Sequence, residues 1–137
     1  MPQPKALLDT DILSAVLRAD PRITPTARVY LAEHGAFSFS IITRYEILRG
    51  LKAKGATAQL RSFDRLCDAS VILTLTDEIV VRAADIFAML KQRGLPTGDA
   101  DILIAASALT HGLAVVTNNE DHFRRIPGLH VANWLKT

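Results

Sequence analysis

The chain of 137 residues is 49% hydrophobic and 22% charged, with seven glycines and six prolines, a composition that excludes a disordered, collagen-like or low-complexity protein. Sixteen Lys and Arg against fourteen Asp and Glu leave a formal net charge of +2, which permits a nucleic-acid partner without requiring one. A single cysteine, Cys67, excludes an internal disulfide and a multi-cysteine zinc site, and it suits a reducing compartment such as the cytoplasm.

No repeat or linker divides the chain, so residues 1–137 read as one domain able to bury its own core. No run approaches the roughly 18 apolar residues of a membrane span, and Asp9 ends the first apolar run too early for a signal peptide. Ala6-Leu7-Leu8 reads as a short buried strand carrying Asp9 at its C-terminal end. Asp11 is expected to cap a helix over 12–18, which Asp20-Pro21 stops. Thr24-Pro25 opens a second helix that ends at His34-Gly35. Residues 36–40 alternate with period two as a strand. Ile42, Tyr45, Leu48 and Leu51 then recur at helical spacing, in an amphipathic helix over 41–54.

A further helix over 56–67 leads to the strand Val71-Ile72-Leu73. Thr76 caps a longer helix with Asp77 and Glu78 in its first turn and a buried stripe of Ile79, Ala83, Ile86 and Leu90. After a loop over 92–98, residues 99–110 form a helix that is apolar nearly all round and hence buried, its two charges at the entry. His111-Gly112 stops it, 113–116 is a fourth strand and 129–132 a candidate fifth. Strands alternating with helices predict an α/β fold, a mostly parallel sheet of four to five strands with helices on both faces. Ligands bind beyond the C-terminal strand ends of such sheets, which places Asp9 and Thr117-Asn118-Asn119 at one edge.

Acids recur where a solvated surface does not require them. Asp9 ends a buried strand, Asp99 and Asp101 open a buried helix, Glu120 and Asp121 follow the fourth strand, and Glu46 flanks its helix. Converging carboxylates repel and need a counter-charge at neutral pH. Mg²⁺, which takes oxygen ligands and keeps several waters, supplies it, as Mn²⁺ can, and suits phosphodiester chemistry. Each acid also has a plain structural use: Asp9 in a bond to the turn after the first strand, Asp99 as an N-cap, Asp101 against the helix dipole, Glu46 in an i,i+3 pair with Arg49, and Glu120 and Asp121 as solvated loop charges. The set persuades where its members separately do not. Arg44, Arg49, Lys52 and Lys54 make the helix around Glu46 basic, and Arg124-Arg125 follow the last acidic segment, either as phosphate contacts or as solvated faces. The four histidines have no partner at metal spacing and read as structural.

Leu7 to Leu13 (LLDTDIL), Ser40 to Gly50 (SIITRYEILRG), Asp101 to Leu109 (DILIAASAL) and Ala114 to Phe123 (AVVTNNEDHF) together resemble PIN-domain ribonucleases. More narrowly, they resemble the VapC-type toxins of toxin–antitoxin pairs, from about Lys5 to Trp134. The resemblance implies a metal-dependent endoribonuclease that cuts RNA, often tRNA or rRNA, leaving 5′-phosphate and 3′-hydroxyl ends. It also implies a homodimer and a cognate antitoxin that holds the enzyme inactive. By motif match Asp9 and Asp101 hold the metal, and Glu46 holds or deprotonates its water. The fourth acidic position is Asn119, an amide, so either Asn119 orients a water or Asp121 takes over. Asp9-Thr10-Asp11 with Gly98-Asp99 also resembles haloacid-dehalogenase-like phosphatases, in which the first Asp is a nucleophile, but Leu13 stands where they carry Thr. Asn119 equally motivates a degenerate domain that only binds its antitoxin.

Overall fold

The structure is a computed structural model that describes residues 3–136. Five strands, β1 (Ala6–Leu8), β2 (Ser38–Ser40), β3 (Val71–Leu73), β4 (Ala114–Val116) and β5 (Val131–Ala132), form one sheet in the order β3-β2-β1-β4-β5, and every pairing is parallel. The helices are α1 (Thr10–Leu17), α2 (Thr24–His34), α3 (Ile41–Ala53), α4 (Thr57–Asp68), α5 (Asp77–Gln92), α6 (Asp99–His111) and α7 (Glu120–Arg124).

The two-residue period of the strands sorts side chains into two cores. Ala6, Leu8, Ala114 and Val116 pack with Ile12, Tyr30, Phe39, Phe63 and Trp134 under α1 to α4. Leu7 and Val115 point to the opposite face, onto Ile79, Ile86, Ile104 and Phe123 of α5 to α7. The expected sheet covered on both faces is therefore present, and the stripe Ile79, Ala83, Ile86 and Leu90 is buried as its spacing requires. Tyr30 locks the β1 entry: its hydroxyl accepts from the Ala6 amide at 3.0 Å and donates to the Ala6 carbonyl at 3.3 Å. Gly112 ends α6 with φ +66°, a left-handed turn that glycine adopts without a Cβ penalty. Among the described residues no helix is long and apolar enough to cross a membrane.

The local readings fail at four places. Asp9, not Asp11, caps α1: its carboxylate accepts the Thr10 amide at 2.8 Å, because the strand hands over to the helix with no intervening loop. Gly98, not Asp99, is the N-cap of α6, and it supplies no side-chain bond. β2 and β5 are shorter than expected at their starts. The acidic stretch after β4 is the one-turn helix α7, not a loop.

Candidate active site

The chain runs outward from β1 to β3, then returns to the far side of β1 as β4, so direction switches between β1 and β4. Open parallel sheets leave a crevice at such a switch, beyond the carboxyl ends of the strands. Asp9 follows β1 directly and Thr117 follows β4, both side by side and buried. Asp9 Oδ2 accepts from the Thr117 hydroxyl at 2.7 Å, while its Oδ1 is held by the Thr10 amide.

Burial first, then the charge of Asp11 and to a lesser extent that of Asp101, push the Asp9 carboxyl up to about 7 against the two hydrogen bonds. Asp11 is raised for the same reasons, chiefly its own burial and also the Asp101 charge. Asp11 Oδ2 accepts from the Asn118 amide at 3.0 Å, whereas its Oδ1 is buried with no partner among the described residues. Three carboxylates thus press on one another at the strand ends.

Asp101, in the first turn of α6, reaches the same edge from the other core. Its Oδ2 accepts from the Asn119 side-chain amide at 3.1 Å and lies 3.1 Å from His122 Nδ1. Asn119 Nδ2 is 2.7 Å from that same His122 nitrogen, and the Asn119 backbone amide donates to Thr117 Oγ1 at 2.9 Å. Thr117 therefore joins Asp9 to the Asn119–Asp101–His122 group. Glu46 enters from α3 through a different hydroxyl: Thr10 Oγ1 donates to Glu46 Oε1 at 2.7 Å and sits 3.1 Å from Thr43 Oγ1. Arg49 is 3.7 Å from Glu46, the i,i+3 pair that its spacing predicts.

Asp9, Glu46, Asp101 and Asn119 thus belong to one hydrogen-bonded edge, whereas Asp121 is exposed on α7 and makes no hydrogen bond among the described residues. Glu120 is turned away into a clamp with Arg124 and Lys136, each at 2.8 Å, and Asn133 at 3.1 Å, which holds its carboxyl down at about 2. Asp99 is exposed. Thr10, Asp11 and His122 are the members that sequence reading missed, and Thr117, which it placed at this edge, it gave no role. The Thr10 and Thr117 hydroxyls each follow a strand end, the one signal that could have marked them. Of the basic residues, Arg44 is spent on structure, donating to Cys67 Sγ at 3.0 Å with its guanidinium 5.9 Å from the Phe63 ring centroid. Arg125 donates to the Pro96 carbonyl at 3.0 Å and so pins the loop before α6.

No three His, Cys, Asp or Glu among the described residues form a ready-made metal cage. The donor set nevertheless fits a hard divalent cation. It consists of carboxylate oxygens, two of the acids are held above their ordinary range by burial and mutual charge, and one buried Oδ1 of Asp11 has nothing to bond. A cation relieves all of these at once.

A PIN domain model matches residues 6–129. Ribonuclease VapC1 of Methanocaldococcus jannaschii is 30% identical over 122 residues, covering 89% of this chain and 81% of that protein. A tRNA(fMet)-specific endonuclease VapC of Salmonella typhimurium is 32% identical over 96 residues, 69% of this chain and 73% of its own. Among solved structures, DNA-bound VapBC of Salmonella typhimurium superposes with a TM-score of 0.85 at 27% identity, covering 96% of this chain and 99% of that one. VapBC2 of Rickettsia felis, bound to a promoter DNA fragment, gives a TM-score of 0.84 at 26% identity over 94% and 98% of the two chains. With its parallel five-stranded sheet, acids at the β1/β4 switch and a match over nearly its whole length, the chain belongs to the PIN-domain family, among the VapC ribonucleases.

Proposed function

We propose that this protein is an endoribonuclease toxin that hydrolyses RNA phosphodiester bonds with a divalent cation and is neutralised by a cognate protein antitoxin. The observation that carries the reading is the buried Asp9, crowded by Asp11 and Asp101 at the sheet's switch point. Ribonuclease VapC relatives and VapBC complexes of the same fold support the activity and the partner. Membership of the PIN family displaces the phosphatase alternative.

Asp9 and Asp101 would hold the cation, Mg²⁺ or Mn²⁺, which when bound neutralises charge on the phosphate and acidifies a water. Thr117 and the α1 N-terminus aim Asp9. Asn119 and His122 fix Asp101, and this gives the amide at the fourth acidic position a positioning use that the exposed Asp121 does not share. Glu46, oriented by Thr10, takes the proton from the attacking water. The reading includes a homodimer, for which Val80, Val81 and Phe87 of α5 supply exposed apolar surface, and a cytoplasmic site of action, where RNA is met and Cys67 stays reduced. The substrate class is tRNA or rRNA. End-mapping of tRNA and rRNA incubated with the protein and Mg²⁺ tests it. New 5′-phosphate and 3′-hydroxyl ends are expected from the wild type alone, and ends that persist with Asp9→Asn would refute it.

A further inference from the structure

We propose that the cavity beside Glu46 is a subsite for one RNA base next to the cut bond; the proposal rests on the ribonuclease reading above. The cavity, of about 250 Å³, lies between α1, α3 and α4 and is lined at one end by Thr10 and Glu46. It falls just short of the roughly 300 Å³ at which sites for drug-sized ligands begin, so it suits a single ring system. Leu17, Ile47 and Leu51 give it apolar walls, while Ser14, Gln59 and Ser62 add groups able to bond a ring edge. Single-stranded RNA is read in this way, by splayed bases whose faces are packed and whose edges are hydrogen-bonded. Arg18 and Lys54 also line it, and among the described residues neither is in an ion pair. Two cations against the single carboxylate of Glu46 favour a ligand that carries its own phosphates.

Gly50 lines the same cavity. It lies inside α3, one turn beyond Glu46, where glycine costs about 1 kcal/mol relative to alanine. Its φ is not positive, and a Cβ built on it meets nothing within 4 Å. Neither backbone strain nor close packing calls for glycine, and Gly50 and Glu46 line the same cavity one helical turn apart.

The test is a size series, Gly50→Ala, Gly50→Val and Gly50→Leu, given a randomised single-stranded RNA pool with Mg²⁺ and read as the bases flanking each cut. The wild type is expected to show a base preference at one position adjoining the cut, and the series to erode it with side-chain volume, by about tenfold at leucine. Ser62→Leu, filling the cavity from α4, is expected to give the same loss and guards against a folding defect in α3. A readout independent of cleavage is the metal-free titration of the four nucleoside 5′-monophosphates, followed by NMR at the Gln59 and Ser62 amides. Shifts are expected in the wild type and not in Gly50→Leu. A folded Gly50→Leu protein with wild-type preference and rate overturns the proposal, as does one that loses only antitoxin binding, which would assign the cavity to the protein partner. A wild type that cuts no RNA sinks the ribonuclease reading instead, and the monophosphate titration still decides whether the cavity takes a nucleotide.

Discussion

Asp9→Asn separates the charge of the buried acid from its structural work. Asparagine caps a helix as well as aspartate does and keeps an oxygen for the Thr10 amide, so the variant removes the charge and, besides it, only the acceptor of the Thr117 hydroxyl. In the folded chain Asp9 keeps its proton to about pH 7, against 3.8 ordinarily. Between those pH values the native state binds more protons than the unfolded one, so metal-free stability falls as pH rises and the loss is complete above about 7. Three pH units correspond to about 4 kcal/mol as a ceiling. Less about 1 kcal/mol for the lost Thr117 bond, we expect metal-free Asp9→Asn to exceed the wild type by about 1–3 kcal/mol at pH 8 and to fall about 1 kcal/mol below it near pH 4, measured by urea denaturation in EDTA. The acids held low, Asp20 and Glu120, titrate near 2 and lie outside this window. Mg²⁺ at pH 8 should stabilise the wild type more than the variant. Parallel pH profiles for the two proteins would refute the reasoning.

Asp101→Asn should abolish RNA cleavage and shrink the Mg²⁺-induced rise in melting temperature, while the exposed Asp99→Asn should retain most of both; the reverse pattern would reassign the third acid. Thr10→Val removes the hydroxyl that orients Glu46 and should slow single-turnover cleavage about tenfold, the worth of one hydrogen bond to a charged group, with little change in melting temperature. Tyr30→Phe strands the buried Ala6 amide and should cost about 1–3 kcal/mol in urea denaturation without changing the slope. Ile104→Ala, in the core under α6, should cost about 2–5 kcal/mol by the same measurement.

The sheet was legible because its strands are apolar runs, or in β2 a period-two alternation, separated by helical segments, and Asp9 was legible because it ends one such run. What stayed hidden depends on partners distant in the chain. Asp9 and Asp11 are both good caps locally. Only the direct handover from β1 to α1 chooses Asp9, and only the fold then brings the Asn118 amide onto Asp11. His122 has no neighbour at ligand spacing, since Asp101, its carboxylate partner, lies 21 residues back on another helix. Glu120 looked like a companion of Asp121, but Lys136, sixteen residues on, takes it out of the acidic group. Arg44 read as a phosphate contact or a solvated charge, because the ring of Phe63 and the thiol of Cys67 that hold it lie on α4.

Calorimetric titration with Mn²⁺ near pH 7, in two buffers of different ionisation enthalpy, asks directly whether the crowded acids share one cation. The wild type should bind saturably and release protons, Asp9→Asn should bind without that release, and Asp101→Asn should bind markedly more weakly. Equal affinity and equal proton release in all three proteins would contradict a cation site built on Asp9 and Asp101.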